Sequence, residues 1–145
     1  MTSTTYPVRT AVPGRPATGY NRGELTVHHD PATLSTVTES LRKVGRQVTF
    51  VPTMGALHEG HATLIRTARE RAERVIVTIF LNPLQFGPKE DLSRYPRTFD
   101  ADCALLEPLG VELVFAPTAA QMYPAGPRTT VQPGPLADEL EAKAA

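Results

Sequence analysis

Two histidines three positions apart, His58 and His61, are the residues whose types and spacing most directly suggest chemistry. An imidazole can donate hydrogen bonds to phosphate oxygens and can stabilise negative charge that grows during phosphoryl chemistry. Gly55 and Gly60 flank this pair and allow the backbone to turn tightly and to approach a ligand closely. The segment therefore points to a phosphate site, provided that neighbouring elements place both rings on one ligand.

The residues around the histidines have the pattern of a strand, a glycine loop and the start of a helix. Residues 48–51 are apolar, β-branched or aromatic, which predicts a buried strand. Pro52 is expected to close this strand, because a proline cannot donate to a central ladder. From His61 the apolar period becomes helical, with one face formed by Leu64, Ile65, Ala68 and Ala72. Such a junction offers unpaired backbone N–H groups and the positive end of a helix dipole to a phosphate.

Two other interpretations of the pair stay open on the residues alone. His58 and His61 could cap the helix, or they could be half of a zinc site. Zinc requires three or four ligands, and the further candidates His28, His29 and Cys103 are not in a paired spacing. Cys103 is the one cysteine of the chain, so an internal disulfide is excluded and a core position is expected.

A second group of polar residues follows the next predicted strand. Residues 75–81 form a continuous apolar run, typical of a strand covered on both faces. Two strands joined by a helix make a right-handed parallel unit, and ligands bind beyond the carboxyl ends of such strands. Asn82 and Gln85 should therefore lie beside the His58 loop, and amides suit the hydroxyls and carboxylate of a small substrate. The pair Asn82-Pro83 is equally typical of a turn.

Three blocks of the chain resemble the pantothenate synthetase family, whose members are pantoate–β-alanine ligases. In the order of that family they are Pro52-Thr53-Met54-Gly55-Ala56-Leu57-His58-Glu59-Gly60-His61, Ile79-Phe80-Leu81-Asn82-Pro83-Leu84-Gln85-Phe86-Gly87 and Glu90-Asp91-Leu92-Ser93-Arg94-Tyr95-Pro96-Arg97-Thr98. The first block contains the H-x-G-H nucleotide signature, and the resemblance runs from about Gly23 to the C-terminus. Adenylyltransferases of the same superfamily are an alternative, but they usually place Phe and Pro where this chain has Ala56 and Leu57.

The resemblance implies the cofactors, the substrates and the roles of residues. ATP and Mg²⁺ would be used to join pantoate to β-alanine through a pantoyl-adenylate, with release of pyrophosphate and AMP. His58 and His61 would be catalytic, Gln85 would contact pantoate, Asn82 would lie near the reacting groups, and Phe86 would form an apolar wall. The implied ATP-binding residues are Pro52, Thr53, Met54, Gly55, Ala56, Leu57, His58, Glu59, Gly60 and His61, and no metal ligand is expected among the protein residues.

The alternation of predicted elements, β, α, β, α, β, α, β, favours an α/β fold with a doubly wound parallel sheet. The resemblance makes this fold Rossmann-like and places it in the nucleotidylyltransferase superfamily. Residues 1–23 are rich in Thr, Pro, Gly and Arg and are expected to form a disordered tail. Residues 24–145 would be the nucleotide-binding domain, truncated at its C-terminal end because the family's enzymes are considerably longer. Unpaired sheet edges and exposed apolar faces are then expected.

Composition limits the class of protein. Hydrophobic residues make up 41% and charged residues 21% of the chain, as in an ordinary soluble domain. After residue 23 the chain carries 12 basic and 15 acidic residues, so no basic stripe is available for nucleic acid. The absence of a long apolar stretch or secretory signal argues against a membrane and favours a cytoplasmic location.

Two functions remain from the sequence. The chain is either the N-terminal catalytic half of a pantothenate synthetase, active and homodimeric when a second polypeptide supplies the rest, or an inactive fragment that binds nucleotide or serves as an interaction module. The lysines that the family carries in its second half are not matched by Lys43, Lys89 or Lys143. Arg94 and Arg97 are either solvated or steer an anionic substrate.

Overall fold

The structure is a computed structural model that describes residues 23–86, 96, 98–129, 131 and 134–135, together with the backbone of Arg9–Thr10. The tail prediction falls almost entirely outside these residues, as do the predictions for Arg94 and Arg97. Within the described residues, no helix is long and apolar enough to cross a membrane.

Parallel pairing joins all the described strands into one sheet. The strands are β1 (Arg9–Thr10), β2 (Thr26–His28), β3 (Val48–Thr53), β4 (Arg74–Ile79) and β5 (Leu113–Phe115), in the spatial order β1-β2-β5-β4-β3. The helices are α1 (Pro31–Lys43), α2 (Glu59–Arg71), α3 (Phe99–Leu106) and α4 (Ala119–Met122), and a 3₁₀ turn spans Pro83–Gln85. The predicted α/β class with a parallel, doubly wound sheet is confirmed.

Helices cover both faces of the sheet, and alternate side chains of each strand enter different cores. Ile65 of α2 and Leu106 of α3 pack with Val77 and Val114 on one face. On the other face, α1 packs against Ile76, Leu113 and Phe115. The carboxyl ends of the strands between these layers carry the loops that form the candidate site.

The ends of α1 agree with the local signals of the sequence. The Asp30 side chain caps the helix by accepting a hydrogen bond from the Thr33 amide at 2.8 Å, and Pro31 occupies the first turn. Gly45, with φ +78°, follows the last turn. Local chemistry is sufficient to place this helix.

The prediction for β3 was wrong in two respects. The strand continues through Pro52 to Thr53, and among the described residues it pairs only with β4, so it is an edge strand. The Thr53 carbonyl accepts from the Phe80 amide on the β4 side, so the nitrogen of Pro52 faces the unpaired edge, where a missing donor costs nothing. Phe50 is consequently 53% exposed, in line with the expected unpaired edges and exposed apolar faces.

Two smaller differences concern α2 and the N-terminal residues. Leu64, which was expected on the buried face of α2, is 51% exposed, and Ala62 is buried there together with Ile65 and Ala68. Within the predicted tail, the Arg9–Thr10 backbone pairs in parallel with Thr26 and Val27. The remainder of the tail stays a prediction.

Candidate functional site

The loops after β3, β4 and β5 meet at one edge of the sheet, as the predicted topology requires. A cavity of about 390 Å³ opens between them. Its lining includes Met54 and Gly55 after β3, Leu81 and Pro83 after β4, and Thr118 after β5. Met54 and Gly55 are thus the predicted ATP-binding residues that line this cavity.

His58 and His61 lie next to one another at the start of α2, with their ring centroids 4.2 Å apart. The Gly60 amide donates to Nδ1 of His58 at 3.0 Å, and the His58 amide donates to Nδ1 of His61 at 3.2 Å. The two rings therefore cap the helix reciprocally. The capping interpretation, left open by the sequence, describes these contacts.

This capping arrangement fixes which ring nitrogen carries the proton. Because each Nδ1 accepts a hydrogen bond from a backbone amide, a neutral ring must carry its hydrogen on Nε2. Burial, followed by the neighbouring His58, lowers the pKa of His61, while Asp102 raises it. The His61 ring is thereby favoured in its neutral form. Capping and phosphate binding are compatible, since Nε2–H is the donor that a phosphate oxygen would meet.

The backbone amides of the glycine loop, by contrast, are already used inside the protein. Ala56 and Leu57 donate to the Asp102 carboxylate at 3.1 and 2.8 Å, and Gly55 donates to the Thr53 hydroxyl at 3.2 Å. The prediction that these amides are unpaired was therefore wrong. Partly buried amides need partners, and the chain supplies them itself. A phosphate at this site would rely on the imidazoles and the helix dipole instead.

Asp102 is a site residue that the sequence reasoning did not find. It lies in the first turn of α3, where a carboxylate complements the positive end of a helix, yet it is 3% exposed and also accepts from the Thr98 hydroxyl. A signal was present in the helical spacing. Phe99, Asp102 and Leu106 are three and four positions apart, which places the carboxylate on the buried stripe of α3.

The predicted substrate residues are placed differently from one another. The Asn82 side-chain oxygen accepts from the Leu84 amide and from the Tyr123 hydroxyl, both at 3.1 Å, as the turn interpretation expects. Gln85 is exposed and Phe86 is half-buried on the same turn, and neither is among the described residues that line the cavity. Tyr123, at the end of α4, had not been identified from the sequence.

The described residues do not form a site that could hold a metal ion. They contain no group of three or more His, Cys, Asp or Glu side chains that could hold a metal ion. Both oxygens of Asp102 are occupied by backbone and hydroxyl donors. Burial, aided by nearby carboxylates, raises the pKa of the Cys103 thiol to about 11, which suits a core residue and not a zinc ligand. The described residues therefore supply no protein-held site for Mg²⁺ or Zn²⁺.

The comparisons with known proteins agree on one family. A family model described as pantoate-beta-alanine ligase matches residues 26–145. The pantothenate synthetases of Rhodococcus jostii (strain RHA1) and Nocardia farcinica (strain IFM 10152) are 67% and 65% identical, over 85% and 84% of this chain and 39% and 38% of theirs. The chain thus spans about two fifths of the length of these relatives.

A solved structure is also similar to this chain. The pantoate-beta-alanine ligase from Francisella tularensis, complexed with beta-gamma ATP and beta-alanine, superposes with a TM-score of 0.75 at 36% sequence identity. The match covers 83% of this chain and 46% of that one. The likeness therefore extends over most of this chain and less than half of the other.

Proposed function

Since this chain belongs to the pantoate–β-alanine ligase family, we propose that it is the nucleotide-binding half of an ATP-dependent ligase that joins pantoate to β-alanine. One observation at the site carries the proposal. The reciprocal cap holds His58 and His61 side by side at the positive end of α2, with both Nδ1 atoms engaged and both Nε2–H groups left as donors. Two such donors suit the oxygens of a polyphosphate.

The proposed reaction has two steps. The pantoate carboxylate attacks the α-phosphorus of ATP, the bond to the β-phosphate oxygen breaks, and pantoyl-adenylate and pyrophosphate form. The amine of β-alanine then attacks the acyl carbon, the bond to the AMP oxygen breaks, and pantothenate is released after the amine loses a proton. His58 and His61 would stabilise the negative charge on the phosphates by donating Nε2–H hydrogen bonds while two anions approach each other. ATP as the nucleotide is supported by the complex of the Francisella relative.

The cavity beside the glycine loop is the proposed site for pantoate. Its walls are largely apolar, with Ile79, Phe80 and Phe99 among them, and suit the aliphatic part of a small hydroxy acid. Asn82, Gln85 and Phe86 stay the predicted polar and apolar contacts from the adjoining turn. Homodimer formation likewise stays a prediction for a complete enzyme.

A second function is favoured by the edge of the sheet. β3 has no partner on one side among the described strands, and Phe50 of this strand is half exposed. The chain also spans only about two fifths of its relatives. The open edge favours the alternative of an inactive chain that acts as a nucleotide-binding or interaction module.

An assay for AMP separates these functions. The purified chain is incubated with ATP, pantoate and β-alanine, alone and together with a polypeptide that covers the unmatched remainder of the Rhodococcus jostii enzyme. The ligase proposal expects AMP only when both polypeptides are present. AMP from the chain alone would reject the inactive-fragment alternative, and no AMP from the pair would reject the ligase proposal.

The variant His61→Ala tests the site within that assay. Removing one preorganised donor is expected to lower turnover by about 10²–10³-fold. Leu64→Ala changes an exposed side chain on the same helix and is expected to leave turnover unchanged. Equal turnover in His61→Ala and the unmodified chain would show that the site is assigned wrongly.

A further inference from the structure

The glycine loop contains two consecutive residues in the left-handed backbone region. Gly55 has φ +84° and Ala56 has φ +51°, and Ala56 is the one non-glycine residue with positive φ in the described part of the chain. Residues with a side chain rarely adopt this conformation, and they keep it only where surrounding contacts impose it. The contacts that impose it here are identifiable.

Asp102 supplies those contacts from the opposite side of the loop. Its Oδ2 accepts from the Ala56 amide at 3.1 Å and its Oδ1 accepts from the Leu57 amide at 2.8 Å. The Thr98 hydroxyl lies 3.3 Å from both oxygens and orients the carboxylate. A buried carboxylate that receives two backbone amides and a hydroxyl forms a strong, charge-assisted set of hydrogen bonds.

The loop leads directly into the histidine cap. Leu57, which Asp102 holds, is followed at once by His58, whose amide and ring make both capping contacts. A Cβ atom at Gly55 would lie 3.0 Å from the Asp102 carboxylate, so the loop and the carboxylate are packed without spare room. The position of Asp102 therefore determines where His58 is placed at the start of α2.

We propose that Asp102 is a positioning residue, which holds the loop of residues 55–57 so that His58 and His61 present their Nε2–H groups together to a nucleotide. The residue would not touch the nucleotide phosphates and would act through the two imidazoles. This inference rests on the proposed function, because it names what ATP binding at that site requires.

The test compares Asp102→Asn with Asp100→Asn in the chain itself. Both changes remove one negative charge from the first half of α3, but Asp100 is exposed and Asp102 is buried. An asparagine has one acceptor oxygen in place of two and carries no charge, so the two amides can no longer be bound by separate carboxylate oxygens. ATP affinity, measured by calorimetry, is expected to fall about tenfold in Asp102→Asn and to stay unchanged in Asp100→Asn.

Nuclear magnetic resonance of the same variants gives a readout that does not need ATP. In the unmodified chain the Ala56 and Leu57 amides should exchange slowly, and the ring nitrogens of both histidines should report Nε2–H tautomers. In Asp102→Asn these amides should exchange faster and the ring nitrogen shifts should move, while those of Asp100→Asn should not. A residue that serves only global stability would not change the tautomer signals of a folded variant.

The outcomes separate this inference from the proposed function. Unchanged ATP affinity in a folded Asp102→Asn, with faster amide exchange, would overturn the inference and leave the proposed function intact. If the unmodified chain does not bind ATP, the proposed function fails. The ring nitrogen shifts of Asp102→Asn then test the inference alone, and unchanged shifts would overturn the inference.

If Asp102→Asn does not fold, the variant Thr98→Val provides the test instead. It keeps the carboxylate and removes its hydroxyl donor, so a smaller loss of affinity supports the inference and an unchanged affinity overturns it.

Discussion

At the scale of single residues, the site shows how one side chain can serve two purposes. An imidazole has one acceptor and one donor when neutral. In His58 and His61 the acceptor, Nδ1, caps the helix, and the donor, Nε2–H, stays available for a ligand. The sequence left capping and phosphate binding as alternatives, although the chemistry of the ring permits both.

A third histidine, His28, affects the stability of the fold and not the candidate site. It is 1% exposed, and neither of its ring nitrogens has a hydrogen-bond partner in the described part of the chain. Burial, followed by the nearby His29, lowers the pKa of the His28 imidazole. The unfolded chain therefore binds a proton at a higher pH than the folded chain does, and stability should fall as the pH drops below about 6.5.

The variant His28→Leu should remove this part of the pH dependence. The gain in the free energy of unfolding over the unmodified chain should be larger at pH 5.0 than at pH 7.5, as measured by urea denaturation. The gain at pH 7.5 comes from removing buried polar atoms without partners, which cost about 1–3 kcal/mol. Equal gains at the two pH values would contradict the lowered pKa.

At the scale of elements, what could be predicted depended on the range of the interactions involved. The ends of α1 follow from Asp30, Pro31 and Gly45, whose effects are local, and the sequence was sufficient. The burial of β3 and of Leu64 depends on which elements pack beside them, so it was predicted wrongly. The contact between Asp102 and Leu57 joins residues 45 positions apart, beyond the reach of any local pattern.

Two glycines test the packing of the loop after β3. Gly55 and Gly45 have similar angles, φ +84° and φ +78°, but a Cβ atom would meet the Asp102 carboxylate at Gly55 and nothing within 4 Å at Gly45. Gly45→Ala should cost about 1 kcal/mol of unfolding free energy from the backbone alone. Gly55→Ala should cost roughly 1 kcal/mol more, because the carboxylate and Ile79 must move.

Thermal and urea denaturation of these two variants give the comparison directly. Both variants share the cost of placing a side chain at positive φ. The difference between their losses of unfolding free energy therefore measures the cost of crowding at Gly55. Equal losses would mean that the loop has room for a methyl group and is not held tightly by Asp102.

At the scale of the whole molecule, the described part of the sheet has an open side. β3 is unpaired along one edge within the described structure, and Phe50 of this strand is half exposed. Unpaired strands with exposed apolar side chains are sites where other chains add. The candidate site lies at the end of this strand, so whatever covers the edge also approaches the histidines.

The chain alone is therefore expected to self-associate as its concentration rises. Phe50→Lys places a charge beside the edge and should shift the sedimentation profile towards monomer. Leu84→Lys is the matched control, because Leu84 is 54% exposed but belongs to the 3₁₀ turn and not to β3. A profile that Leu84→Lys alters and Phe50→Lys does not would place the association elsewhere.

The reciprocal cap of α2 ties acidity to the shape of the site. A proton added to Nδ1 of His61 removes the lone pair on which the His58 amide depends, so the first turn of the helix loses an anchor. Acid would then act less by changing the charge of a ligand-binding group than by fraying the entrance to the helix. Loss of ligand affinity and local unwinding would be two signs of a single event.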